Sequence, residues 1–374
     1  MSHSPDVLIL GGGVIGLTTA YYLDREGFSV AVIDKGEMGK EASWAGAGII
    51  PPGNPDRTSA PYEKLRALSS AMYPGLSREL LEATGIGNGY FVCGGLEWLE
   101  ADEESIVEAW RDEGIEFVYA EPGQIRQLQP ALSAECSSAY FLPGMAQVRN
   151  PRHLKALLAW CSGRVELLPH HIVQAFERKG DRVIAAITGT SRFQANQFLI
   201  ATGAWTDGIL SQIGLQAGIH PVRGQIALLN TGQPLLTRIL LQGRRYLVSR
   251  NDSRVLVGST EEDAGFEKRT TAFAIQELLT FAQSLVPGLA RAEVEKCWAG
   301  LRPGSSDGLP FLGRVPGFDN LFVAAGHFRS GIQLSPATGL VMAELMVGKK
   351  PTIPLDRFSM DRRPAPLGQT AFRS

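Results

Sequence analysis

No two of the four cysteines, Cys93, Cys136, Cys161 and Cys297, form a C-x-x-C pair, and the six histidines never adopt H-E-x-x-H spacing. These absences leave structural zinc, zinc hydrolysis and dithiol redox chemistry without support, so no metal is expected. So few scattered thiols suit a reducing compartment better than a disulfide framework. Long runs of one charge sign are also missing, and the formal net charge over 374 residues is only −2. Nucleic acid and membrane surfaces are therefore not expected partners. The apolar N-terminal stretch 7–23 lacks the basic flank of a signal peptide, holds four glycines and runs into Asp24, Arg25 and Glu26. It reads as a buried strand, a turn and a helix start, and the expected location is the cytoplasm. Internal repeats and low-complexity stretches are absent too.

Hydrophobic residues make up 44% of the chain, enough for a sizeable core, and the length suggests two domains. Residues 6–10 and 28–33 read as buried strands around a helix at 13–27, a β-α-β unit that requires a parallel sheet. Helical patterns follow at 63–84, 103–113, 150–161, 270–285 and 335–347, the last with Pro336 near its first turn. Residues 90–100 read as a strand or hairpin. Strands are expected at 182–188 and 193–201, joined by Gly189-Thr190-Ser191, and at 225–230, 245–250, 254–259 and 320–325. Asn251-Asp252-Ser253 suits a hairpin turn. Antiparallel-type pieces fall at 86–145 and 221–298, and parallel-type pieces at 1–85, 146–220 and 299–354. This interleaving predicts two discontinuous domains. The polar, proline-containing tail 355–374 is expected to be poorly ordered.

Gly11-x-Gly13-x-x-Gly16 lies directly after a strand and opens a helix. Gly11 permits the tight turn, Gly13 lets backbone approach a pyrophosphate, and Gly16 lets helix and strand pack closely. The helix N-terminus offers N–H groups and partial positive charge to phosphates. Asp34, 18 residues after Gly16, ends the second strand and can accept from ribose hydroxyls. The glycine pattern alone is a weak signal; the β-α-β context and the acid strengthen it. FAD and NAD share this fingerprint. The C-terminal part favours FAD, because a buried strand at 322–325 runs through Gly326-His327 and Arg329-Ser330-Gly331 into a helix. Such a helix N-terminus stabilises negative charge on a reduced flavin.

These motifs, together with Ala42-Ser43-Trp44-Ala45-Gly46-Ala47-Gly48-Ile49, Ala201-Thr202-Gly203-Ala204-Trp205, Gly300-Leu301-Arg302-Pro303 and Asp307-Gly308-x-Pro310, resemble the D-amino-acid oxidase superfamily of flavoproteins, and within it the glycine oxidases of thiamine biosynthesis. The resemblance covers nearly the whole chain. It implies an α/β fold: a Rossmann-type FAD-binding domain (1–85, 146–220, 299–354) and a discontinuous antiparallel-sheet substrate domain (86–145, 221–298). It places Val14 and Ile15 at the pyrophosphate, and Asp34 and Lys35 at the ribose. Ala42, Ser43, Ala47, Gly48 and Ile49 line the flavin, Val173 meets the adenine end, and Gly203 lies in the cofactor site. His327, Phe328, Arg329, Ser330, Gly331, Ile332 and Gln333 wrap the ring. Tyr246 and Arg302 hold a substrate carboxylate, with Arg329 close by. Ala42 departs from the hydroxyl residue common there, although a backbone contact would survive. No cysteine matches a flavin-linking position, so FAD is expected to be non-covalent.

The implied reaction oxidises a small amino acid, glycine foremost, to its imino acid, with oxygen reduced to hydrogen peroxide. Iminoglycine would supply the thiazole of thiamine, which makes thiazole synthase a candidate acceptor; a homo-oligomer is compatible with the resemblance. A planar Arg–carboxylate pair and a tyrosine hydroxyl supply orientation, and the flavin supplies reactivity. Other readings stay open. A D-amino-acid or N-methylglycine oxidase, or a quinone-linked dehydrogenase, would share these motifs, and so would a non-catalytic FAD-binding subunit. An NAD-dependent dehydrogenase would be colourless. Tyr246 could serve strand packing, and Arg329 could hold its loop. His327 reads as a packing and flavin-contact residue rather than an acid–base catalyst. Arg244, Arg245 and Glu261 lie near the proposed pocket wall without an assigned role.

Overall fold

The computed structural model describes residues 4–100, 103–363 and 372. Its central sheet has six strands, in the order Phe311–Arg314, Leu321–Ala325, Gln197–Ile200, Val7–Leu10, Val30–Ile33 and Glu166–Leu168. All neighbours are parallel except the first pair. The inner strands are apolar apart from Gln197, because both sheet faces are covered. Val7 and Ile9 point into a core with Leu17, Ala337 and Val341, whereas Leu8 and Leu10 point into one with Phe198, Val183 and Val323.

A second, eight-stranded sheet runs Glu293–Gly304, His220–Asn230, Arg254–Gly258, Arg245–Ser249, Ile239–Gln242, Gly95–Trp98, Ala139–Leu142 and Val118–Ala120. It is antiparallel apart from one pair, Ile239–Gln242 beside Gly95–Trp98. Alternation sorts its faces. Leu247 and Val257 pack against Leu278 and Phe281 of helix Ala272–Leu285, while Tyr246, Val248 and Leu256 face Ala47 and Ile226.

Several expected elements differ in detail. Residues 193–201 form two strands in two sheets: Arg192–Gln194 joins Arg182–Thr188 and Val173–Lys179, and Gln197–Ile200 enters the central sheet. The break falls where Asn196 turns aside to bond Pro5 O and Asp6. Residues 90–100 are no hairpin, because Phe91–Val92 and Gly95–Trp98 belong to different sheets, separated by Gly94 at φ +71°. The expected boundary at 298/299 lies inside the continuous strand Glu293–Gly304. The tail is docked as far as it is described. Phe358 is fully buried, and Arg362 grips Asp307 through two hydrogen bonds of 2.7 and 2.8 Å while lying 3.7 Å above the Phe311 ring. Residues 364–371, 373 and 374 of the expected disordered tail lie outside the described residues.

Candidate active site

The three fingerprint glycines are required for different reasons. Gly11 has φ +110°, and a Cβ there would overlap the Ala201 carbonyl. At Gly16 a Cβ would overlap the Gly11 carbonyl, so this residue locks helix Val14–Arg25 onto the strand and does not itself line the cavity. Gly13 has only Ser43 Oγ near, at 3.3 Å, and opens onto the cavity. Helix Val14–Arg25 starts there without a side-chain cap, and the Val14 N–H donates to Ser43 Oγ at 3.0 Å. Asp34 is pinned by the amides of Gly12 (2.7 Å) and Gly36 (2.9 Å). Burial raises its pKa and these amides oppose the rise. Lys35 Nζ sits 3.2 Å above the Trp205 ring, and burial lowers its pKa.

Ala42, Ser43, Ala47, Gly48 and Ile49 form the next part of the wall. Gly48 has φ +73°, and a Cβ there would overlap Val148 O. Arg250, which no local pattern announces, fastens this segment. Its buried guanidinium donates to Ala47 O (2.6 Å), Val148 O (3.1 Å) and Gln147 Oε1 (2.6 Å). Burial lowers its pKa to about 10, so it stays charged at neutral pH.

The opposite wall is His327 to Gln333. Helix Gly331–Met346 begins four residues earlier than expected, which leaves Pro336 inside it. Proline has no N–H for the Ile332 carbonyl. That carbonyl instead accepts from the Tyr73 hydroxyl and from Ser335 Oγ. Ser69 Oγ likewise donates to Gln333 O at 2.6 Å, and Gln333 Nε2 donates to Ser70 Oγ at 3.2 Å. Helix Pro61–Thr84 therefore repairs the broken turn. His327 is buried against Thr338 Oγ1 (3.1 Å), and burial drops its pKa to about 3, so it is neutral and poorly suited to proton transfer near pH 7.

These walls enclose a cavity of about 420 Å³ whose far end carries Val173 and Gly203, the latter at φ +56°. Tyr246, Arg302 and Arg329 line the same cavity. Arg302 donates to Thr260 O (3.0 Å) and Ser259 Oγ (2.7 Å). Among the described residues it forms no ion pair, unlike the three other cavity arginines. Glu261 pairs with both Arg329 and Arg244, and Glu277 lies 3.6 Å from Arg245. Arg302's pKa is lowered by burial and by Arg329, against the pull of Tyr246 and Glu261. Sequence reading missed two glycines behind these side chains. A Cβ at Gly224 would overlap the Arg302 guanidinium, and one at Gly258 the Tyr246 ring. Glycine within a strand was the available signal. Phe372, also unforeseen, reaches the cavity from the chain end, with Arg66 5.0 Å from its ring centroid.

The FAD dependent oxidoreductase family matches residues 6–345. The chain belongs to this family. A glycine oxidase of Pseudomonas aeruginosa is 38% identical over 360 residues, covering 94% of this chain and 97% of its own. The crystal structure of glycine oxidase from Geobacillus kaustophilus superposes with a TM-score of 0.90 at 34% identity, over 97% of this chain and 100% of that one. A bifunctional protein ThiO/ThiG of Trichormus variabilis is 32% identical, over 96% of this chain but 55% of its own. FAD, the family's cofactor, fits the groups present: a helix N-terminus beside an open Gly13, the Asp34 carboxylate as an acceptor, and a second helix start at Gly331. Among the described residues, no helix is long and apolar enough to cross a membrane.

Proposed function

We propose that the protein oxidises glycine to its imino acid and passes the electrons to oxygen, giving hydrogen peroxide. The observation that carries this reading is Arg302: a guanidinium on the cavity wall, beside Tyr246, with no carboxylate partner of its own among the described residues. A planar guanidinium offers a carboxylate two parallel hydrogen bonds, and the tyrosine hydroxyl adds a third donor. Bound FAD supplies the two-electron acceptor for the substrate Cα–H. Arg302 and Tyr246 fix the carboxylate and so aim that bond at the acceptor. No charged base is needed once the amine is neutral, and His327 is suited to positioning rather than proton transfer.

On this reading Val14, Ile15, Asp34, Lys35, Val173 and Gly203 serve the nucleotide half of FAD. The 42–49 and 327–333 segments serve the flavin, and residues 86–145 with 221–298 act as a substrate-binding domain. Arg329 holds the wall together. Thiazole synthase is the proposed recipient of the imine, since the Trichormus variabilis relative carries the name ThiO/ThiG; the cytoplasm is the proposed location. Peroxide release from the purified holoenzyme should be measured with glycine, N-methylglycine, D-alanine and D-proline. Glycine should give the highest kcat/KM. Preference for D-proline or D-alanine would reassign the substrate, and silence with all four would remove the oxidase reading.

A further inference from the structure

Two guanidiniums, of Arg302 and Arg329, line the substrate end of one cavity, yet they are not equivalent. Each uses both terminal nitrogens on protein, but Arg302 meets only the Thr260 carbonyl and Ser259 Oγ, whereas Arg329 Nη1 meets the Glu261 carboxylate, with Nη2 on the Arg244 carbonyl at 2.8 Å. Glu261's second oxygen takes Arg244 at 2.8 Å. Arg244 is 71% exposed, so water and salt screen its charge, whereas Arg329 and Glu261 are only 19% and 17% exposed. The Arg329 and Glu261 charges therefore cancel at the cavity wall, and among the described residues Arg302 remains the one cavity arginine with no carboxylate partner. We infer that Glu261 is a specificity-determining residue: by occupying Arg329 it restricts the site to substrates with a single carboxylate. The inference rests on the carboxylate site proposed above and adds what that site rejects. A second carboxylate entering near Arg329 would meet a cation already neutralised, with Glu261 repelling it from behind.

Acetate and malonate, which differ by one carboxylate, separate the possibilities when titrated against the absorbance of the bound flavin in the holoenzyme. Wild type should bind acetate at least about ten-fold more tightly than malonate, the size of one lost charge-assisted contact. Glu261→Gln keeps the shape and removes the charge, so malonate should gain about ten-fold while acetate stays close to wild type. Glu261→Asp should keep the wild-type ratio, and Glu261→Gln combined with Arg329→Gln should lose the gain. Malonate binding to wild type as tightly as acetate would overturn the inference without any variant. An unmoved ratio in Glu261→Gln would overturn it as well. Those two outcomes leave the Arg302 site intact; failure of both ligands to perturb the flavin, with glycine inert, would remove that site and this inference together.

Discussion

The guanidinium of Arg302 lies flat on Gly224, so close that a single Cβ at position 224 would overlap its three end atoms. The two residues lie diagonally on adjacent strands, His220–Asn230 and Glu293–Gly304, where Gly224 is in register with Gly300 and Arg302 with Val222. Gly224→Ala should therefore behave as an Arg302 variant. FAD should be retained, and kcat/KM for glycine should fall by about one to two orders of magnitude, the scale of a lost contact of about 1.5–3 kcal/mol. Anaerobic flavin reduction by glycine reads this directly, and unchanged reduction would show that Arg302 can do without its glycine bed.

Direct replacement of the proposed carboxylate ligands should give a graded series. Arg302→Ala should be the most damaging, Arg302→Lys next, because lysine keeps charge but not the planar fork, and Tyr246→Phe the least. All three should purify yellow. Near-normal reduction in Arg302→Ala would falsify the carboxylate site.

The fingerprint glycines should separate by what they touch. Gly13→Val points into the cavity and should abolish FAD retention while leaving the melting temperature of flavin-stripped protein close to wild type. Gly16→Ala meets the Gly11 carbonyl and should lower that melting temperature itself. Calorimetry of the two apoproteins tests the distinction; equal losses in both would mean that Gly13 is structural too.

Acid should weaken the fold through buried histidines. Burial drops the pKa of His327 from 6.5 to about 3 and that of His153 to about 4. The unfolded chain binds these protons at higher pH than the folded one, so stability rises with pH across this interval. It is fully present above about pH 6.5 and declines as pH falls toward the folded values. Denaturant unfolding from pH 7 to pH 4 should show the decline, with a shallower slope in His153→Gln.

Catalysis should respond to alkali instead. Only a neutral amine can release the Cα–H pair, so flavin reduction by glycine should accelerate from neutral pH to about pH 9, near the range of α-amino groups. A flat stopped-flow profile over that range would exclude amine deprotonation as the controlling ionisation.

Local patterns were the legible part of the chain. Val7–Leu10, Gly11 to Gly16 and Asp34 lie within one β-α-β unit, where spacing alone carries the geometry. The hairpin at Asn251-Asp252-Ser253 was readable for the same reason. Residues 193–201 were not, because a continuous apolar run does not reveal a change of sheet at Asn196. Val173–Lys179 alternates too weakly, with mostly exposed residues, to announce a strand. Contacts between distant positions left no trace in any window: Arg250 on Ala47, Glu261 on Arg329, Ser69 and Tyr73 on the Pro336 turn. Motif resemblance placed Arg302 and Tyr246, but not the glycines against which they lie.

The strand order of the central sheet also bears on how the protein is made. Val7–Leu10, made before the other strands of this sheet, sits between Val30–Ile33 and Gln197–Ile200, and the latter needs Leu321–Ala325 at its other edge. The nucleotide fingerprint precedes the last strands of its sheet and the 327–333 wall by some three hundred residues. At about 5–20 residues per second this interval is on the order of tens of seconds. During it the cavity lacks its 327–333 wall, so cofactor capture is expected to wait for those residues, and chains terminated before Gln333 should purify without flavin.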